Sequence, residues 1–321
     1  MTFRRRVFTR LLVSATLLVV ASMARATPGQ VIGLDYGPFR DGQRPGGPCP
    51  SQQQVAEDLQ ILTSALGLLN SVRSYGVLDC DLGEKILVAT RTAGLTLALG
   101  TWLSADRATN RTEIEGLRRL ASTTGLSGVL GIVVGSEVLL RGDLPMAELI
   151  QAIQEVRTIV PGIPVATVEP WHIWLGLDGR YPNPTPLIEA VDVIAVNVHP
   201  YWEGVCIGQA VDFVFDRVGR VQIAHPGKLV AVSETGWPTS GESRGCAVPS
   251  LLNQSRFLVE FVCRAITGPN RLHFYLFSAF DERWKAALGL EVEAHWGLSN
   301  PDRTPKHDFA ALGPCPPAPG T

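Results

Sequence analysis

Two patterns of apolar positions alternate along almost the whole chain. Short, nearly continuous apolar runs occur at QVIGLDYG, SVRSYG, LTLALGTWL, GVLGIVVGSE, PVATVEPW, VDVIAVNVHPYW, KLVAVSETGW and LHFYLFSAF. Most are followed by a longer stretch in which apolar residues recur every three or four positions. Examples are SQQQVAEDLQILTSALG, NRTEIEGLRRLAST, MAELIQAIQEVRTIV and PSLLNQSRFLVEFVCRAI. The first pattern predicts strands covered on both faces, and the second predicts amphipathic helices. The apolar runs start roughly 25 to 45 residues apart, the length of a strand, a loop, a helix and a return loop. Eight such units predict one α/β domain, a single (β/α)8 TIM barrel. A doubly wound sheet is the competitor, but it would carry a glycine-rich phosphate turn, and no GxGxxG or Walker sequence is present. No Pro/Gly linker divides the chain, and GPCPPAPGT reads as a coil after the last helix.

The N-terminus belongs to another class. Arg4, Arg5, Arg6 and Arg10 precede an apolar run from Leu11 to Val20, and Ala24-Arg25-Ala26 follows. This is the grammar of a secretory signal, with an apolar run too short for a membrane span. Residues 1–26 are expected to be that signal, and residues 27–321 the barrel with its short tail. The mature chain is expected to be exported, periplasmic or secreted, with no stable membrane span once the signal is cleaved. Loss of the signal removes five arginines and no acids, taking the formal charge from −2 to −7. An acidic exported protein has no electrostatic footprint for nucleic acid or anionic lipid, so a neutral ligand and a monomer are expected. Of 321 residues 45% are hydrophobic and 18% charged, which leaves ample material for a large core.

In such a barrel the C-terminal ends of the strands line the functional face. Those ends carry Asp35-Tyr36, Ser74-Tyr75-Gly76, Trp102, Ser136-Glu137, Glu169-Pro170-Trp171, His199-Pro200-Tyr201-Trp202, Glu234-Thr235-Gly236-Trp237 and Asp281-Glu282, with Trp284 and Lys285 close behind. Carboxylates and aromatic rings dominate. Flat rings against the apolar faces of sugars, with acids aimed at one bond, are the chemistry of glycoside cleavage. Glu137 and Glu234, at the ends of the fourth and seventh strands, can face each other across the mouth. Retaining cleavage needs two carboxyl groups about 5 Å apart, one to protonate the leaving oxygen and one to attack. Other acids of the rim satisfy the same spacing, and salt-bridged rim acids are the structural alternative. His172 and His199 read as histidines with structural hydrogen bonds.

These segments resemble glycoside hydrolase family seventeen, the clan A barrels that include β-1,3-glucanases and β-1,3-glucan transglycosylases. VGSEVLLRGD resembles the family's VGNEVLxRxD, SETGWPTSG its nucleophile segment, and FDERWK…EAHWGL its last-strand segment; VRSYGVLDC and NVHPYW also fit. The resemblance spans essentially the whole mature chain, in order. It implies that Glu137 is the general acid/base and Glu234 the nucleophile. Glu282, Lys285 and Glu293 would form a polar cluster beside the nucleophile, with Lys285 helping to keep it ionised. Tyr36, Tyr75 and Tyr201 would line the subsite around the cleaved bond, with Trp202 and Trp237 as ring platforms. Ser136 stands where the family has asparagine, the residue that holds a sugar 2-hydroxyl in related barrels, so the rate and linkage are open. The partner implied is a β-glucan polysaccharide or oligosaccharide, with no cofactor and no metal. Water or a sugar can accept the glycosyl group, so hydrolase and transglycosylase both stand; the rival is a catalytically weak glucan-binding barrel.

No CxxC pair or Cys/His spacing suggests zinc, and export favours disulfides among the six cysteines. In the barrel order Cys49 and Cys80 lie on the loops after the first and second strands, and Cys206 and Cys246 on those after the sixth and seventh. Bridges between neighbouring loops are expected, with Cys263 left to reach Cys315 in the tail.

Overall fold

In the computed structural model, residues 29–308 and Cys315 are described. The expected signal at 1–26 lies outside them. Eight strands, β1 (Ile32–Asp35), β2 (Ser71–Arg73), β3 (Thr96–Thr101), β4 (Val129–Ser136), β5 (Val165–Pro170), β6 (Val193–Asn197), β7 (Leu229–Thr235) and β8 (His273–Leu276), form a closed barrel in sequence order. All neighbours are parallel, and β8 pairs with β1 to close the ring. Each of the eight apolar runs contains one strand. The helices are α1 (Gln52–Ala65), α2 (Leu82–Ala93), α3 (Arg107–Thr123), α4 (Val138–Arg141), α5 (Met146–Ile159), α6 (Trp171–Trp174), α7 (Thr185–Ala190), α8 (Ile207–Ala224) and α9 (Leu251–Thr267).

Alternation along the strands builds two apolar layers. On β3, Leu97 and Leu99 join the large cluster between barrel and helices, while Ala98 belongs to a smaller group with Val133, Ala166, Val168, Ala195 and Tyr275. Side chains from five strands can meet in this way only inside the ring, where small residues fit its narrow bore. Helix starts follow local chemistry. Ser51 and Gln54 form a reciprocal capping box on α1, and Asp106 and Ser250 cap α3 and α9.

The register slips between Val133 and Ser136, between Val196 and Asn197, and between Val232 and Thr235. These three fall at the C-terminal ends of strands, where a bulge re-aims the side chains that follow; a fourth, between Leu97 and Ala98, lies near the start of the β3–β4 pairing.

Three disulfides, Cys49–Cys80, Cys206–Cys246 and Cys263–Cys315, tie the loops and tail in the expected pairing. The barrel seam is bound a second time by the segment after β8. Arg303 returns across it to reach Asp58 on α1 at 2.7 and 2.9 Å and the Pro38 carbonyl at 3.1 Å. No helix among the described residues is long and apolar enough to cross a membrane.

Candidate active site

The mouth of the barrel is organised around a side chain that the sequence motifs did not single out. Arg73 ends β2, is 1% exposed, and points its guanidinium into the ring. One nitrogen, Nη1, donates to Asp35 of β1 at 2.7 Å and to Glu234 of β7 at 2.6 Å; Nη2 donates to the Ser136 hydroxyl of β4 at 2.9 Å. A charge within an apolar strand is tolerated only when paired. The signal for Arg73 was therefore its place in SVRSYG, a charge in a buried strand.

Glu234 is buried and takes the Arg73 bond on Oε1, which also accepts the Tyr75 hydroxyl at 3.3 Å. Its Oε2 lies 3.4 Å from His199 Nε2. Burial works to raise the pKa of this carboxyl, but Arg73 and His199 prevail and hold it down at about 2. Asp35, sharing the same guanidinium, shows the reverse balance. Complete burial pushes its pKa well up despite Arg73, and the Glu234 charge adds to the rise.

Glu137 follows β4 directly, with its backbone in the left-handed region at φ 57° and ψ 31°. Its carboxylate accepts the Asn197 amide of β6 at 2.9 Å, and Ser233 in turn donates to the Asn197 carbonyl at 2.9 Å, which fixes the amide with its NH2 toward Glu137. Asn197 is also the β6 register partner of Glu234 in the ladder, so its backbone pairs with one glutamate while its amide holds the other. Burial, then the charge of Glu234, push the Glu137 carboxyl above its ordinary range, while the Asn197 bond, His199 and Arg141 pull the other way. The environments of the two glutamates thus drive them apart.

The remaining candidates divide. Tyr75 is half-buried beside Glu234, with the Arg73 guanidinium over its ring at 4.7 Å. Ser136 is buried against Arg73. Lys285 pairs with Glu282 at 2.6 Å, and the Trp284 indole donates to the same carboxylate at 3.1 Å. Gly37 makes room for this group, since a Cβ there would lie 2.2 Å from Glu282 Oε1. Glu293 lies within electrostatic reach of both Lys285 and Glu234; burial pushes its carboxyl up while Lys285 pulls it back. Lys285, expected to help keep Glu234 ionised, lies within electrostatic reach of it but does not touch it. The cation touching Glu234 is Arg73, and Lys285 is engaged by Glu282.

Tyr36 and Trp237 are corrected, since both are fully buried with no face toward the mouth. The Tyr36 hydroxyl donates to Asp58 behind the barrel at 2.9 Å, and the Trp237 indole to the Val248 carbonyl at 3.1 Å. Tyr201 is 2% exposed, bonded to the Glu242 carbonyl and packed edge-on against Trp202, Trp237 and Trp296. Trp202 is half-buried, tilted over Trp296 at 6.1 Å, and keeps part of its ring open. His172 lies 3.9 Å from Asp178, away from the two glutamates. His199, expected to be structural, lies against Glu234.

One further acid was missed as a participant. Glu169, at the end of β5, has no exposed surface, and its carboxylate accepts the backbone N–H groups of Leu139 and Leu140 just beyond Glu137. Burial pushes this carboxyl up to about 8 against those two bonds, with the Glu137 charge adding to the rise.

Residues 33–297 match the family described as the BtgE/BtgC glycoside hydrolase domain. The chain is 32% identical over 280 residues to a glucan 1,3-beta-glucosidase of Arthroderma benhamiae, covering 82% of this chain and 86% of that one. A glucan 1,3-beta-glucosidase of Saccharomyces cerevisiae is 30% identical, with 89% and 94% covered. Among solved structures, the glycoside hydrolase family 17 beta-1,3-glucanosyltransferase of Rhizomucor miehei superimposes with a TM-score of 0.76 at 30% identity, covering 89% of this chain and 98% of that one. An active-site mutant of the Rhizomucor miehei enzyme, in complex with laminaritriose, gives 0.74 at 31% identity, with 86% and 95% covered.

Proposed function

Because the chain belongs to the BtgE/BtgC glycoside hydrolases of family 17, we propose that it cleaves β-1,3-linked glucan with retention, Glu234 attacking and Glu137 serving as acid/base. Membership makes it a glycosidase or glucanosyltransferase acting on glucan. The observation that carries the finer reading is the opposed ionisation of the two glutamates. Glu234, held at about 2, is a carboxylate at any working pH, as a nucleophile must be. Glu137, raised by burial and by the charge of Glu234, is biased toward its protonated form, as a proton donor must be.

In the first step Glu137 protonates the glycosidic oxygen while a Glu234 oxygen bonds to the anomeric carbon. The carbon–oxygen bond to the leaving chain breaks, and a glycosyl ester remains on Glu234. In the second step Glu137, now ionised, takes a proton from water or from a sugar hydroxyl, whose oxygen attacks the same carbon and frees Glu234. Water gives hydrolysis and a second glucan chain gives transfer. Tyr75 and the open part of the Trp202 ring are the aromatic surfaces we assign to the sugar, with Glu282, Lys285 and Glu293 for its hydroxyls. Three disulfides suit an oxidising compartment, and we infer export.

The test is incubation with laminari-oligosaccharides, with products sized by mass spectrometry and their anomeric form read by NMR. Shorter products mean hydrolysis, longer or branched ones mean transfer, and binding without turnover supports the weak glucan-binding alternative. A 2-fluoro glucosyl fluoride should leave a covalent label on the peptide containing Glu234. Glu137→Gln and Glu234→Gln should each lower turnover by several orders of magnitude with folding intact. Near-normal turnover by either variant would sink the assignment.

A further inference from the structure

The turn that carries Glu137 needs external support. Gly135 takes φ +73° at no steric cost, but Glu137 has a full side chain and still adopts φ 57°. A residue in that region stays there only when its surroundings over-determine it. Three contacts hold it. The Glu137 N–H donates to the Val168 carbonyl of β5 at 2.7 Å. Arg141 reaches back to the Ser136 carbonyl, donates to the Leu103 carbonyl at 2.9 Å, and pairs with Asp143 at 2.6 Å. The third contact is Glu169, whose Oε1 accepts Leu139 N–H at 2.7 Å and whose Oε2 accepts Leu140 N–H at 3.2 Å.

α4 is four residues long, so its first N–H groups have no partners within it. Glu169 takes two of them with two oxygens, and its indirect grip on Glu137 runs through this first turn. The indole of Trp174 anchors the Glu169 main-chain carbonyl at 3.1 Å. The charged groups around the Glu169 carboxylate are Glu137 itself, Arg141 on α4, and Arg180 beyond α6, which donates to the Leu140 carbonyl at 3.2 Å.

We propose that Glu169 is the positioning residue of the acid/base, fixing the turn that aims Glu137 without touching the glucan. The proposal rests on the assignment of Glu137 above. It requires a carboxyl group at 169, whose two oxygens meet two convergent N–H groups. Glutamine supplies one acceptor and turns an NH2 toward the other N–H.

The two substrates that separate this role from a merely structural one differ in the proton they need. Cleavage of laminaritetraose requires protonation of the leaving sugar, whereas 2,4-dinitrophenyl β-laminaribioside expels a stable phenolate without help. In Glu169→Gln, kcat/KM on laminaritetraose should fall roughly ten- to hundredfold, as for the loss of one or two buried hydrogen bonds, while the aryl substrate should change less than about threefold. Glu137→Gln, run in parallel, should show the same selectivity with a larger loss. Thermal melting confirms that each variant is folded. If the glutamine chain does not fold, Glu169→Asp, which keeps both acceptors on a shorter arm, is read in the same way. Equal losses on both substrates at 169, or no loss on either, overturn the proposal, and a selective Glu137→Gln beside them leaves the acid assignment standing. An unselective Glu137→Gln overturns that assignment and the proposal with it.

Discussion

Arg73 serves three strands with one guanidinium, and its removal separates the effects that it combines. In Arg73→Met, Glu234 loses its nearest positive charge and stays buried beside Asp35. An opposite charge at contact distance lowers a carboxyl pKa by about 1–3 units, so the acid limb of kcat/KM should move up by about that amount. The sign for stability follows from the same shift. Glu234 has a folded value of about 2, below its unfolded one, so its contribution is present above the unfolded value and lost as pH falls through the folded one. Without Arg73 most of that contribution is lost, and the buried carboxylate keeps only His199 and the Tyr75 hydroxyl beside it, at a cost of up to about 3–5 kcal/mol. A pH–rate profile and denaturant melts at two pH values check both statements; an unmoved acid limb would contradict the role given to Arg73. The sequence made this arginine visible as a charge in an apolar run but could not name its partners. Asp35 and Glu234 lie 38 and 161 residues away, and only the closed ring brings them together. Ser136 was legible as a departure from the family's asparagine. Its bond to Arg73 was not, and that bond means a larger amide at 136 must compete with the guanidinium for the same space.

At the scale of elements, strands and principal helices followed directly from hydrophobic period, because a parallel barrel buries its strands on both faces and its helices on one. Rim roles were less legible. Periodicity cannot tell an aromatic residue facing the mouth from one a residue away that turns behind the sheet, and register slips at the ends of β4, β6 and β7 add to that ambiguity. Tyr36 and Trp237 went to packing for this reason. The cysteines were easier, since neighbouring strands in a ring place successive loops side by side. The Cys206–Cys246 bridge joins the loops after β6 and β7 and closes 40 residues, worth up to roughly 4 kcal/mol in chain entropy. The same loops are also joined by Cys246 N–H to the Gly204 carbonyl at 3.1 Å and by Arg244 to the Trp202 carbonyl. The double variant Cys206→Ser/Cys246→Ser should therefore lose about 2–4 kcal/mol while keeping kcat within a few-fold, because Arg73 and Asn197 hold the glutamates from other strands. Thermal melting and steady-state kinetics on one preparation test this, and a collapse of kcat without loss of stability would refute it.

The whole molecule was legible as a ring of eight units, but not the way its ends are fastened. Asp58 on α1 is fully buried and accepts from Tyr36, Arg40 and Arg303, the last of them 245 residues later. No local pattern announces such a pairing. Its consequence concerns the order in which the protein is made. A chain synthesised or threaded across a membrane from its N-terminus delivers Asp58 early and Arg303 among the last residues, so through most of that passage the acid has only Arg40 as a countercharge. The first strand likewise waits for the eighth before the ring can close. Partial chains should therefore remain open and sensitive to protease, a state that suits export through a narrow pore. Chains ending before residue 273, which lack β8, should be cleaved quickly by a protease that spares the full chain. The Arg303→Met full-length chain, with every strand present, should fall between them. If it resists as well as the parent, closure of the sheet alone is the last event, and the arginine only decorates a barrel already shut.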